Sequence, residues 1–211
     1  DTVPKGPPEM ETIRLFGTED MEMIDFFLPT LPGFFVFFFV FILSGITFLK
    51  ERTSGTAERL LASPLTRLEL VLGYVLGFLA PAMLQAAIIT LFAKYVLGGP
   101  FGGLSQIVAI VLLALVAECL GVFVSAFAKS EFQVFQFIPI VIIPQILLTG
   151  MIWPMDNMHF SIKLLSYAMP VTWSTFATRD AAIRGMSFMA TLPDLLILSI
   201  FVVGGLVLAA V

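Results

Sequence analysis

Five apolar runs decide what this chain can fold into. Leu31–Leu49 holds 19 residues without a charge, Leu70–Ala93 holds 24, and Phe132–Met155 holds 24. Leu104–Ala128 and Ala190–Val211 carry one acid each, Glu118 and Asp194. An α-helix rises about 1.5 Å per residue, so about 20 residues cross the roughly 30 Å hydrocarbon core of a bilayer. Inside that core every backbone amide and carbonyl needs an internal partner, and the helix supplies it. Hydrophobic residues make up 59% of the 211 positions and charged residues 12%, with a mean hydropathy of +1.03. Soluble domains carry about 25% charged residues. The expected fold is therefore all-α: a polytopic helical membrane protein with spans at about 31–49, 70–93, 104–128, 132–155 and 190–211.

Composition also excludes several chemistries. The lone Cys119 cannot form an internal disulfide, and its apolar surroundings suit a buried thiol. The single His159 rules out a His-rich metal centre or a Ser-His-Asp set. No Gly-x-x-x-x-Gly-Lys-Ser/Thr, Gly-x-Gly-x-x-Gly or His-Glu-x-x-His occurs, so no nucleotide or catalytic-metal motif is present. The net charge of −4 argues against a nucleic-acid partner. The expectation is a non-enzymatic chain with no cofactor of its own.

The connectors differ in kind. Residues 1–30 are polar and acid-rich, and read as the end of an external segment. They have no basic region with a short apolar run, so they are not a signal peptide. Gly98-Gly99-Pro100-Phe101-Gly102-Gly103 is a turn by composition, and Lys129-Ser130-Glu131 a short polar loop. Pro81 predicts a kink in the second span, and Pro139 and Pro144 interruptions of the fourth. Gly73-x-x-x-Gly77 is spaced for close helix approach, and Gly204-Gly205 and Cys119–Gly121 suggest close packing. Residues 153–190 contain two helix-like runs, Asp156–Ala168 and Val171–Arg184, broken by Pro170 and ended by Gly185. Each is too short to cross. Trp153, Tyr167 and Trp173 fall here, and such rings favour the membrane–water interface. A re-entrant helical hairpin on the outer side follows. The chain begins without Met and ends on apolar residues, as expected for a piece of a longer protein.

Lys50–Glu69 stands apart, with seven charged side chains between two uncharged runs. Such a segment lies in water. Thr66-x-x-Glu69 fits a capping box that starts the next span, with Ser63-Pro64 as the alternative start. Upstream, Gly55 and Thr56 can open a short helix with Ala57, Leu60 and Leu61 on one face. So short a helix needs a surface to rest on. Lys50, Arg52, Arg59 and Arg67 crowd this loop while the glycine-rich turn has no base, which favours placing the loop in the cytoplasm. Lys129–Glu131 then shares that side by alternation.

Glu51-Arg52-x-x-Gly55-Thr56-x-Glu58-x-Leu60-Leu61-x-x-Pro64 resembles the signature between the second and third membrane helices of ABC type-2 permeases. Gly150-Met151-Ile152-Trp153-Pro154-Met155, the hairpin beyond it around Pro170, and a final helix match that family's C-terminal half. The resemblance covers nearly the whole chain. It implies a coupling helix in the loop, docked on a separate ABC ATPase subunit that binds the ATP and Mg. It also implies a second permease copy, identical or a close paralogue, in a bacterial or archaeal cell membrane. The family has six helices, and the one missing here would precede Asp1.

The function implied is a permease subunit of an exporter that moves a hydrophobic or amphipathic substrate. Glu118, the one acid placed deep in a span, marks the rival: a secondary transporter or channel with a proton or ion relay. The bland reading of Glu118 is a neutral, hydrogen-bonded acid facing another helix. A non-transporting membrane scaffold is the third reading.

Overall fold

A computed structural model describes residues 26–55, 66–152, 155 and 158–210. The described residues are helical, and five of the helices are long and apolar enough to cross a membrane. These are α1 Leu31–Thr53, α2 Arg67–Tyr95, α3 Gly103–Ser125, α4 Glu131–Leu148 and, after two short helices, α7 Phe188–Ala210. The short pair is α5 Phe160–Tyr167 and α6 Pro170–Ala182. The chain is a polytopic helical membrane protein.

The helix ends differ from the expected bounds for local reasons. α1 runs past Leu49 to Thr53, because Lys50 and Arg52 in its last turn suit the negative end of the helix dipole. Gly55 sits just past the α1 cap Ser54 with φ +74°, the left-handed stop that glycine supplies without a Cβ penalty. α4 ends at Leu148 rather than Met155, since Gly150 (φ +72°) turns the chain after Thr149. Pro139 and Pro144 lie inside α4 and Pro81 inside α2, yet neither helix is broken. α5 starts at Phe160, later than the expected Asp156, where His159 caps it by accepting the Ser161 amide.

α3 is the central post. About 61% of its spanning window is buried, against 17% for α2 and α4. Leu113, Ala117 and Ile110 meet Phe37, Phe41 and Val40 of α1, while Leu198 of α7 and Val171 of α6 close the same core. Backbone contact between α1 and α3 depends on Gly121. A Cβ there would collide with Ser44 Oγ and lie 2.5 Å from the Phe41 carbonyl oxygen. Gly205 of α7 plays a similar part, since its Cβ would come 2.9 Å from Cys119 Cβ. Those two expected close contacts are present. Gly73 and Gly77 make none among the described residues: nothing lies within 4 Å of a Cβ at either position. Their helix instead exposes Leu76, Leu84, Ile88 and Tyr95, each more than half exposed.

Candidate functional site

The polar end of α1 is built by its own last turn. The side chain of Arg52 leaves the helix and donates from Nη1 to the Ala126 carbonyl at 2.9 Å and from Nη2 to the Ala128 carbonyl at 2.6 Å. Those carbonyls belong to the turn after α3, where helical amides no longer satisfy them. One guanidinium thus closes two orphan acceptors and ties α1 to the α3–α4 turn. Lys50 Nζ adds an ion pair to Glu131 Oε1 at 3.3 Å, with both side chains about half exposed. α4 begins beside it, Ser130 capping the Gln133 amide and the Gln133 side chain accepting the Lys129 amide at 2.6 Å. The two polar loops therefore share one end of the bundle, as alternation requires.

Glu51 behaves differently from its neighbour. Its Oε2 is buried and has no hydrogen-bond partner among the described residues. Thr56, Glu58, Leu60, Leu61 and Pro64 lie outside the described residues, and so does the short helix expected there. The chain is described again at Thr66, whose hydroxyl accepts the Glu69 amide while Glu69 Oε2 accepts the Thr66 amide at 2.7 Å. The expected capping box is present. Hydrogen bonds from the Thr66 amide and hydroxyl stabilise the Glu69 carboxylate and hold its pKa below the usual glutamate value.

The other end of the bundle is held by a residue that the sequence did not single out. Arg179 of α6 donates from Nη1 to the Gly150 carbonyl at 2.7 Å, from Nη2 to the Met151 carbonyl at 3.0 Å and from Nε to the Phe26 carbonyl at 3.2 Å. Its guanidinium also stacks 3.6 Å from the Phe26 ring centroid. Five fixed donors on a planar group suit such a cluster of carbonyls. An arginine that follows a run of apolar, Ser, Thr and Ala residues in a short helix is the signal that was available.

Gln145 was also missed. It is buried in α4, donates to Met169 Sδ at 3.4 Å and accepts the Val171 amide at 3.3 Å, which fastens α4 to the α5–α6 elbow. Pro170 is buried at that elbow as the first residue of α6. Trp173 Nε1 donates to the Tyr167 carbonyl at 2.9 Å across it, which ties the two short helices at their joint. Pro154 lies outside the described residues.

Glu118 does not join either cluster. It is buried in α3, and its Oε1 has no hydrogen-bond partner among the described residues. The hydrogen-bonded acid expected from sequence is thus not found at that oxygen. Its backbone carbonyl accepts from Ser44 Oγ at 3.4 Å.

The ABC-2 type transporter family profile matches residues 14–182. Among relatives, ABC transporter G family member 20 of Dictyostelium discoideum is 26% identical over 86% of this chain and 25% of its own length. The probable multidrug ABC transporter permease YbhR of Escherichia coli (strain K12) is 26% identical over 87% of this chain and 50% of its own. The linearmycin resistance permease protein LnrN of Bacillus subtilis (strain 168) is 26% identical over 72% of this chain and 40% of its own. The chain thus spans half or less of the length of these relatives, which come from Dictyostelium as well as from bacteria. No solved structure shows a significant match. The matched profile takes in the Arg52 junction, the Gly150 turn and the Arg179 clasp, and the chain belongs to the ABC-2 type transporter family.

Proposed function

We propose that the chain is the membrane-spanning part of an exporter permease, moving a hydrophobic or amphipathic substrate across the cytoplasmic membrane. ATP and Mg are handled by a separate ABC ATPase subunit, and a second permease copy completes the pathway. The names of the bacterial relatives, a multidrug permease and a linearmycin resistance permease, support this reading. One geometric observation carries it: Arg52, at the start of the signature stretch, is bonded to the turn between α3 and α4. A push on residues 53–62 by the ATPase therefore reaches α1, α3 and α4 together, and passes through the Thr66 cap into α2.

In this reading the docking residues are Glu51, Arg52, Gly55, Thr56, Glu58, Leu60, Leu61 and Pro64. The α5–α6 pair is a re-entrant hairpin on the outer side, with Gly150, Pro154 and Pro170 shaping its entry and elbow. Copurification of the full-length protein with an ATPase carrying a nucleotide-binding loop tests the assignment. Recovery without any ATPase favours the scaffold reading. With the complex reconstituted, compounds that stimulate ATP turnover identify the substrate class.

A further inference from the structure

A groove of about 260 Å³, lined mostly by apolar side chains, opens between α2 and α3. Met83, Ala87, Thr90 and Leu91 of α2 form one wall, and Ile107 and Val111 of α3 the other. The α2 residues are spaced three and four apart, so they share one helix stripe, and the next member of that stripe is Lys94. Ala87 is small and exposed, which keeps the floor open. Phe101 lines the groove as well, and Lys94 Nζ rests 4.7 Å above its ring. Lys94 forms no ion pair with a carboxylate among the described residues.

Length and charge together select the occupant. From Met83 to Lys94 the helix advances about 16 Å at 1.5 Å per residue. That is close to half of the roughly 30 Å hydrocarbon core, the depth of a single leaflet. The groove is therefore apolar over one acyl-chain length and cationic where the headgroup of the same lipid would sit. The N-terminus of α3, at Gly103, opens at this end and adds the positive pole of its dipole. A neutral hydrocarbon would have no use for Lys94, and a free anion none for the apolar wall.

We propose that this groove binds one acyl chain of an anionic phospholipid, with Lys94 on the phosphate. The test uses the full-length permease with its ATPase, equilibrated in vesicles of equal phosphatidylglycerol and phosphatidylcholine. Native mass spectrometry then reads the tightly retained lipid. Wild type retains phosphatidylglycerol over phosphatidylcholine by about fivefold, the factor one lysine near an anionic headgroup supplies. Lys94→Gln brings the ratio close to one and Lys94→Arg restores it. Ala87→Phe fills the groove and reduces retention of both lipids without lowering the melting temperature. Equal retention by wild type, or a preference that Lys94→Gln keeps, overturns the proposal. Loss of the retained lipid when two permeases pair also overturns it, since a second copy would then own the groove.

Discussion

Arg179 Nη1 and the Gly150 carbonyl oxygen lie 2.7 Å apart, joining α6 to the turn that ends α4. The same guanidinium bonds Met151 and Phe26, so three segments meet at one side chain. Hydrogen bonds from a charged donor contribute about 1.5–3 kcal/mol each, and losses at one centre are not additive. Arg179→Ala is expected to cost about 3 kcal/mol, and Arg179→Lys to recover less than half, because an ammonium cannot span three carbonyls. Thermal unfolding in detergent reads this. A melting temperature unchanged by Arg179→Ala would show the clasp to be idle.

Gly121 and Gly73 are both glycines in apolar helices, yet only one is needed for space. Gly121→Val drives a side chain into Ser44 and the Phe41 carbonyl, and should cost about 1–3 kcal/mol or prevent folding. Gly73→Ala meets nothing among the described residues and should stabilise α2 by about 0.5–1 kcal/mol. Expression and melting temperature of the two variants separate these cases. Equal damage from both would instead place Gly73 against a second protomer.

The Arg52 and Lys50 contacts should differ in strength and in salt response. Arg52→Ala leaves two turn carbonyls without their donor and is expected to cost about 2 kcal/mol. Lys50→Ala removes an exposed pair and should cost below about 1 kcal/mol, less at high salt. Comparable losses would contradict the role given to the Arg52 junction.

Glu118→Gln keeps shape and removes any proton relay. The exporter reading expects ATP-driven transport to survive, while a relay expects transport to stop with the fold intact. Glu118→Met should be neutral or stabilising, since it removes a buried oxygen that lacks a partner among the described residues. Transport assays on the two variants, both with unchanged melting temperature, decide between the readings.

Glu69 makes the α2 start sensitive to acid. Its pKa is lowered in the fold, so its stabilising effect is present above the unfolded glutamate value and is lost as pH falls through the folded one. The protection factor of the first-turn amides of α2, taken against the intrinsic exchange rate at each pH, should fall as Glu69 becomes protonated in acid, and Glu69→Gln should flatten that dependence. A wild-type protection factor that does not change with pH would argue against the cap.

Much of the fold was legible because membrane helices announce themselves locally. Apolar length placed all five spans, and Thr66-x-x-Glu69 placed the α2 start. Gly121 and Gly205 pointed to contacts that exist, whereas Gly73-x-x-x-Gly77 meets nothing within 4 Å among the described residues. Spacing shows that a close approach is possible, not which neighbour is there. Pro139 and Pro144 misled because a helix in apolar surroundings has no better alternative than to continue past a missing amide. The clasp could not be read, since Arg179 is 29 residues from Gly150 and 153 from Phe26, and no local pattern joins them.

The central claim is that the Lys50–Glu69 stretch transmits the ATPase stroke to the membrane helices. Its most direct test is export and ATP hydrolysis measured together in the reconstituted full-length complex carrying Glu58→Ala with Leu61→Ala. The account predicts that the dimer still assembles and ATP is still hydrolysed while export falls to background. Export that keeps pace with hydrolysis in that double variant would contradict it.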